Sequence, residues 1–328
     1  MKKIFALLLS AALLVTLLAA CGGGNTTDTD TDAQEPATDA STTQVEEQEP
    51  DTGDASKDDP LNQDEIGEKE LLVVSFGTSY NDSRRETIGA IEKAMQTAFP
   101  DYSVRRAFTS QIIIDHVKDR DGVTIDNVEQ ALERAVNNGV KTLVVQPTHL
   151  MNGLEYEELT DELAKYSDSF EKIAIGDPLL TSDADFEAVM TAITDATKDA
   201  ADGKTAICFM GHGTTADSNS VYSKMQTLLT DKGFNDYYVG TVEATPSLDD
   251  VLAAVQKGNY EKVILRPLMI VAGDHANNDM ADTEDPDSFA SKFIAAGFEV
   301  ECVVEGLGQL VAIDDIYVRH VADAITQL

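Results

Sequence analysis

Residues 141–153 read KTLVVQPTHLMNG, and residues 261–273 read EKVILRPLMIVAG. In each stretch an apolar run leads through one polar residue to a proline, and a glycine stands six residues after that proline. Short apolar runs bounded by proline and glycine are typical of buried strands. The same pattern at two widely separated places predicts that the chain contains two similar halves.

The segments around these strands alternate between apolar runs and helical patterns. In the first half, residues 71–76 (LLVVSF) form an apolar run and residues 84–98 have helical periodicity; residues 206–210 (AICFM) and 221–231 correspond to them in the second half. Such alternation is typical of parallel strands joined by crossover helices. The sequence therefore predicts an α/β fold with two similar lobes, each a small parallel sheet flanked by helices, and a cleft between the lobes.

Composition and pattern together predict five parts along the chain. They are a signal peptide at 1–21, an acidic tether at 22–70, an N-terminal α/β lobe at 71–195, a C-terminal α/β lobe at 196–309 that carries the functional site, and a final helix at 310–328.

The first part is predicted to direct export. Met1-Lys2-Lys3 precedes an apolar stretch that ends in Leu18-Ala19-Ala20-Cys21. A basic start, a short apolar stretch and small residues before the cut are typical of a secretory signal, and the stretch is shorter than the roughly 20 residues that a membrane-spanning helix needs. The junction resembles a bacterial lipobox, in which the cysteine carries lipid. We therefore expect an exported protein, held to a membrane by lipid on Cys21 and facing the periplasm or the cell exterior; an ordinary signal peptide with an incidental cysteine is the alternative.

Residues 22–70 are rich in Thr, Asp, Glu, Gln, Ser and Pro and almost lack large apolar residues. Such a segment cannot bury enough apolar surface to offset its chain entropy, so we predict a disordered tether. It contributes much of the formal net charge of −35. With this charge and no basic stripe, nucleic-acid binding is excluded. Cys208 and Cys302 each lie in an apolar run, so we expect buried thiols rather than a disulfide or a structural zinc site.

Three polar residues of the second half follow predicted strands: His212, Glu243 and His275. Ligands of open parallel sheets gather beyond the carboxyl ends of the strands. Two imidazoles and one carboxylate are a common ligand set for a divalent metal such as Co²⁺, Fe²⁺, Ni²⁺ or Zn²⁺. The sequence therefore predicts that these three residues form a metal site.

Other candidate residues carry weaker signals. His149 follows a first-half strand, and structural and functional interpretations of it both stay open. His116 and His320 lie in predicted helices and are interpreted as surface or packing residues. The segments around Gly77 and around Gly211 and Gly213 match neither GxxxxGK(S/T) nor GxGxxG. No lysine is placed to pair with a nucleotide, so no nucleotide is predicted. A serine hydrolase is also disfavoured, because the chain has no G-x-S-x-G motif.

Five segments of the chain resemble the anaerobic, single-subunit sirohydrochlorin cobaltochelatases of the CbiK type. They are residues 72–80 (LVVSFGTSY), 106–110 (RAFTS), 209–213 (FMGHG), 242–244 (VEA) and 267–280 (PLMIVAGDHANNDM). The resemblance implies a class II chelatase fold, with a tetrapyrrole bound between two lobes, and ATP-independent insertion of Co²⁺, with Fe²⁺ as a second candidate, into sirohydrochlorin during anaerobic cobalamin biosynthesis.

The resemblance also implies residue roles. His212 and His275 match the metal-binding histidines of the family, and Glu243 matches its site carboxylate. Metal insertion requires a base beside the macrocycle, so we assign proton removal to His212, metal delivery to His275, and charge balance and proton relay to Glu243. The acidic substituents of the macrocycle need donors, for which Ser79, Tyr80 and Arg106 are candidates.

An exported position differs from the cytoplasmic place of corrin synthesis. Two alternatives therefore stay open: a membrane-anchored protein that binds haem or another tetrapyrrole and passes it to a transporter, or one that removes iron from haem. The expected partners are a tetrapyrrole substrate, the membrane, a transporter and further copies of the chain.

Overall fold

The first lobe contains a four-stranded sheet in which every neighbouring pair is parallel. The computed structural model describes residues 51–328. The strand order is β2-β1-β3-β4, and the strands are β1 (Lys69–Ser75), β2 (Ser103–Phe108), β3 (Thr142–Pro147) and β4 (Lys172–Ile175).

The second lobe repeats this sheet. Its order is β6-β5-β7-β8, again parallel throughout, with β5 (Thr205–Gly211), β6 (Tyr237–Thr241), β7 (Lys262–Pro267) and β8 (Glu299–Cys302). The two prolines of the repeated motif take the same place, because Pro147 pairs with Val74 and Pro267 pairs with Met210. The predicted α/β fold with two similar parallel sheets is confirmed.

Helices connect the strands and cover both sheets. They are α1 (Asn81–Glu86), α2 (Ile88–Ala98), α3 (Gln111–Asp121), α4 (Val128–Asn137), α5 (Leu154–Lys165), α6 (Asp183–Thr197), α7 (Ser220–Asp231), α8 (Leu248–Val255), α9 (Phe289–Ala295) and α10 (Val311–Ile325). Capping boxes begin α4, α6 and α8, where Asn127, Ser182 and Ser247 each accept a backbone N–H three residues on. None of the helices within residues 51–328 combines the length and apolar character that crossing a bilayer requires.

The two lobes share one hydrophobic core. Val73 of β1 and Phe209 of β5 belong to the same cluster, together with side chains of α2, α6, α7 and α10. Separate clusters lie on the outer faces, with α4 and α5 on the first sheet and α8 and α9 on the second. The predicted boundary at residue 195 falls in the last turn of α6, and the predicted final helix packs as α10 against the first lobe, where the Tyr317 hydroxyl donates to the carbonyl of Thr148 at 2.9 Å.

The start of the described chain corrects one prediction. The predicted signal peptide and the tether as far as residue 50 lie outside the described residues. Residues 51–68, which the prediction assigned to the tether, pack against the first lobe: Leu61 is 7% exposed, and Asp58 is buried between Arg84 and Arg106. The prediction was wrong for this stretch because two residues with buried contacts hardly change its polar composition.

Cys208 is buried and Cys302 is partly buried, and both are free thiols. Burial raises the pKa of each thiol, so both stay protonated. They therefore behave as the small apolar side chains that the sequence predicts.

Candidate metal centre

The strand order brings three loops of the second lobe together. β5 lies between β6 and β7, so the loops that leave their carboxyl ends are neighbours. His212 directly follows β5, Glu243 comes two residues after β6, and His275 precedes a π-helical turn, Ala276–Met280, in the loop after β7. The predicted triad is thus assembled by sheet topology from residues far apart in the chain.

The three side chains converge on one point. One ligand atom from each of His212, Glu243 and His275 lies within 4.8 Å of the others. Nε2 of His212 is 4.0 Å from Oε1 of Glu243, and the two imidazole centroids are 4.5 Å apart with the rings nearly perpendicular. The side chain of His212 is 47% exposed, that of Glu243 is 58% exposed and that of His275 is 33% exposed. A bulky substrate can therefore reach the centre directly.

Hydrogen bonds set the tautomer of both imidazoles. Nδ1 of His212 lies 2.7 Å from the carbonyl oxygen of Gly213, and Nδ1 of His275 lies 2.6 Å from Oδ2 of Asp279. A carbonyl or carboxylate oxygen accepts, so Nδ1 carries the proton in each ring and Nε2 keeps its lone pair. This is the usual arrangement of metal-ligating histidines. Asp279 is a site residue that the sequence analysis did not single out, although its position four residues after His275 on a helical turn was an available signal.

Backbone pairing beyond the sheet holds Glu243 beside His212. The N–H groups of Val242 and Glu243 donate to the carbonyls of Gly211 and His212 at 3.0 and 2.9 Å. Gly213 has φ of +87°, and a Cβ there would lie 2.9 Å from the backbone nitrogen of Ala244. A glycine is required at this close approach. The two loops therefore form a tightly spaced pair, which fixes the distance between the imidazole and the carboxylate.

The donor set suits a divalent first-row metal. Neutral imidazole nitrogens and a carboxylate oxygen are ligands that Co²⁺, Fe²⁺, Ni²⁺ and Zn²⁺ share. Three ligands leave further coordination positions open, as a site that passes its metal on requires. The arrangement can hold such a cation and can accept a proton at Nε2 of either histidine.

Two of the predicted donors in the first lobe lie near this centre. Ser79 and Tyr80 are half-buried in the loop between β1 and α1. A Cβ on Gly273 would lie 2.9 Å from Oγ1 of Thr78, and burial together with the carboxylate of Asp274 raises the pKa of Tyr80. This loop therefore faces the loop that carries His275, and a substrate role for Ser79 and Tyr80 stays a prediction.

Arg106 is not available to a substrate, so that prediction was wrong. Its side chain is 1% exposed, its Nε and Nη2 donate to Glu92 at 2.7 Å each, and its Nη1 donates to Asp58 at 2.6 Å. All the donor groups of the guanidinium point at these two carboxylates. The sequence could not indicate this because both partners are distant along the chain.

The remaining histidines lie outside the triad. His149 lies in the loop after β3, with both ring nitrogens buried and without a hydrogen-bond partner among the described residues. Burial lowers its pKa to about 4, against the opposing effect of Glu155, so the imidazole is neutral at physiological pH. His116 is exposed on α3, and His320 packs on α10 against Asp185 at 3.0 Å, as the sequence indicated for these two.

Comparison with known families gives one match over most of the chain. The family model described as "Cobalt chelatase (CbiK)" matches residues 69–326. A sirohydrochlorin cobaltochelatase of Salmonella typhimurium is 37% identical over 257 residues, covering 78% of this chain and 96% of that protein. The sirohydrochlorin cobaltochelatase CbiKC of Nitratidesulfovibrio vulgaris is 30% identical over 262 residues, covering 79% and 92%.

Solved structures agree on the fold. SirB of Bacillus subtilis with Fe³⁺ aligns with a TM-score of 0.56 at 15% identity, covering 79% of this chain and 96% of that one. The sirohydrochlorin chelatase SirB of Bacillus subtilis subspecies spizizenii in complex with cobalt aligns with a TM-score of 0.56 at 14% identity, covering 80% and 97%. At these identities the likeness concerns the architecture of two parallel sheets.

Proposed function

The chain belongs to the CbiK cobalt chelatase family, and from this membership we propose that it is a sirohydrochlorin cobaltochelatase, which inserts Co²⁺ into the macrocycle without ATP. The observation that carries the proposal is the convergence of His212, Glu243 and His275 within 4.8 Å at an open edge of the second sheet. Two relatives align with this chain over more than nine-tenths of their own length, and their names support the choice of substrate.

The site is suited to the proton balance of the reaction. Insertion exchanges two pyrrole N–H protons for one Co²⁺, so a base must lie beside the ring while a ligand holds the cation. His275 is backed by the carboxylate of Asp279, which strengthens an imidazole as a metal ligand. We therefore assign metal delivery to it. His212 is backed by a neutral carbonyl and lies 4.0 Å from Glu243, so we assign proton removal to His212 and proton relay and charge balance to Glu243.

The intact triad favours metal chemistry over capture of a tetrapyrrole alone. A binding protein needs donors and an apolar wall for its cargo, but it does not need two imidazoles with free Nε2 atoms beside a carboxylate. Removal of iron from haem would use the same groups, and the names of the relatives favour insertion.

We also propose that the domain is exported and anchored by lipid on Cys21. Support comes from the signal-like residues 1–20, the cysteine that follows Leu18-Ala19-Ala20, and the position of the family match, which leaves residues 1–68 outside the chelatase domain. An anchored chelatase would exchange metal or macrocycle with a transporter in the same membrane.

Metal insertion is the direct test of the function. The chain without residues 1–21 is mixed with sirohydrochlorin and Co²⁺ under anaerobic conditions, and the absorbance change of insertion is followed against an enzyme-free control. We expect His212→Ala and His275→Ala each to lower the rate by about 100-fold or more, because each removes a base or a ligand, while sirohydrochlorin still binds to His275→Ala.

His116→Ala is the matched control, because it removes an exposed imidazole from α3 and should leave the rate unchanged. A wild-type rate equal to the enzyme-free rate would refute the proposed function, and an unchanged rate in His275→Ala would remove that residue from the mechanism. Haem is titrated in parallel, so that tight haem binding without insertion would identify a capture protein.

A further inference from the structure

Residues 51–66, which we call the strap, precede the family domain and are nevertheless part of the fold. The family match begins at residue 69. The strap contains the short helical turn Ala55–Lys57 and the buried residues Asp58 and Leu61. A polar segment outside the family match would ordinarily be solvated, so its buried contacts call for a physical reason.

One end of the strap covers the edge of the first sheet. β2 is an edge strand, and its Arg106 N–H donates to the carbonyl of Leu61 at 3.1 Å. The Arg105 side chain donates to the carbonyls of Leu61 and Gln63 at 2.9 and 2.5 Å. Leu61 inserts into the shared core. This end therefore pairs the exposed backbone of β2 and stabilises the lobe.

The middle of the strap neutralises two buried arginines. Oδ2 of Asp58 accepts from Nε of Arg84 and from Nη1 of Arg106, each at 2.6 Å. The three side chains are 4%, 0% and 1% exposed. Arg106 has a second carboxylate partner in Glu92, whereas Arg84 has no other carboxylate partner among the described residues. Removing the Asp58 charge would leave the buried Arg84 guanidinium hydrogen-bonded only to the neutral oxygens of Thr78 and Asn81, which is unfavourable.

The other end of the strap holds α1. The N–H of Asp82 donates to the carbonyl of Thr52 at 2.9 Å, and the Asn81 amide donates to the carbonyl of Gly53 at 3.1 Å. Arg84, held by Asp58, donates to the carbonyl of Thr78 at 3.1 Å. Three points of the strap therefore position α1 and the loop that precedes it.

α1 and its loop in turn contact the loop of the metal centre. The N–H of Ala272 donates to Oγ of Ser83 on α1 at 3.0 Å, and Thr78 lies against Gly273. His275 follows two residues later. The contacts form a continuous path from Asp58 through Arg84 and α1 to the two loops that face each other at the site.

We propose that the strap is a positioning element of the tetrapyrrole site: by holding α1 through Asp58 and residues 52–53, it fixes the spacing between loop 77–80 and loop 272–275. This proposal rests on the proposed function and adds a determinant of macrocycle affinity that lies outside the chelatase domain. Two parts of the strap then have different tasks, because Leu61 stabilises the sheet edge, whereas Asp58 and residues 52–53 position the site.

The test compares variants of these two parts of the strap in the full-length chain. In Asp58→Asn we expect the KM for sirohydrochlorin to rise about tenfold with kcat within about twofold of the wild type, because loop placement affects binding of the macrocycle more than chemistry at the triad. Leu61→Ala removes a core side chain and lowers the Tm, but it should leave this KM within about twofold.

A milder variant covers the case that Asp58→Asn does not fold. Gly53 has φ of +91°, which an alanine adopts only with strain, and a Cβ there would also meet the side chain of Asp82. An alanine strained at this φ should shift the Gly53 carbonyl, which accepts from the Asn81 amide of α1, without touching the ion pairs of Asp58. Gly53→Ala should therefore raise the KM about threefold. An unchanged KM in the folded Asp58 and Gly53 variants would overturn the proposal. So would a rise in KM in Leu61→Ala equal to that in Asp58→Asn, when the two variants have similar Tm values.

Affinity for sirohydrochlorin is also measured by absorbance titration without metal. This separates failure of the strap from failure of the function. If the wild type binds sirohydrochlorin but inserts no cobalt, the proposed function fails while weaker binding by Asp58→Asn still supports the strap. If the wild type inserts cobalt and the variants bind as tightly as it does, only the strap proposal fails.

Discussion

Two acidic residues of the first lobe are both buried, with opposite results for their ionisation. Burial disfavours the charged form of Asp58, yet hydrogen bonds from Arg106 and Arg84 lower its pKa. Glu70 at the start of β1 is fully buried, and neither carboxylate oxygen has a hydrogen-bond partner among residues 51–328. Burial raises its pKa to about 7, although the charge of Arg105 opposes this. Ionisation of Glu70 therefore lowers the free energy of unfolding, and this loss grows as the pH rises towards 7.

We expect Glu70→Gln to stabilise the protein at alkaline pH. The folded pKa of about 7 lies above the ordinary value of 4.5, so the cost is small near pH 5 and is complete above pH 7. The gain in the free energy of unfolding should be about 2 kcal/mol larger at pH 8 than at pH 5, which urea unfolding at the two values measures. Glu68→Gln at an exposed position is the control, and an equal gain at both pH values would contradict the raised pKa.

At the scale of elements, α10 is the helix that packs the C-terminal residues against the first lobe. It follows the second sheet in sequence, but its Tyr317 is buried against the first lobe and donates to the carbonyl of Thr148. Its Arg319 and His320 contact Asp185 of α6 at 2.6 and 3.0 Å. The helix therefore closes the shared core and couples the stability of the two lobes.

Tyr317→Phe removes the hydroxyl that satisfies the Thr148 carbonyl and keeps the ring in the core. We expect a loss of about 1 to 2 kcal/mol in the free energy of unfolding, because a buried hydrogen bond is lost and an acceptor is left without its donor. Urea unfolding measures the loss, and a single transition for both lobes should persist. Tyr166→Phe at a partly exposed position is the control; a similar loss there would remove the hydrogen bond as the cause.

At the scale of the whole molecule, the predicted arrangement is a folded chelatase domain preceded by an acidic tether. The strap occupies the first described residues, so the segment between Cys21 and the fold ends near residue 50. Its acidic residues share the sign of the formal net charge of −35. The tether over residues 22–50 lies outside the described residues and stays a prediction.

Substitution of the lipid-bearing cysteine tests this arrangement. We expect Cys21→Ser to release the protein from the membrane fraction, because a single-site anchor is lost and nothing in the described fold replaces it. Fractionation of cells that express each form, with detection by antibody, measures the distribution. Cys302→Ser removes a partly buried thiol and should stay with the membrane. Continued membrane association of Cys21→Ser would refute the lipobox.

The convergence of the candidate triad was predictable because its information is local. His212, Glu243 and His275 each follow an apolar run that is recognisable as a strand, and parallel strands deliver such positions to one edge of a sheet. The same local signals predicted two similar sheets from the proline and glycine of each repeat. The position of Asp279, four residues after His275, was a further local signal, but only the structure shows that its carboxylate accepts from Nδ1 of that imidazole.

The sequence by itself determined the α/β repeat and the residues of the triad, because periodicity and strand ends are properties of neighbouring residues. Only the tertiary structure decided that Arg106 is an internal ion-pair partner and that residues 51–68 belong to the fold. The physical reason is distance along the chain: the carboxylates that bind Arg106 are 14 and 48 residues away from it. Whether a buried charge forms an ion pair depends on the partner that the fold places beside it, and no local sequence pattern identifies that partner.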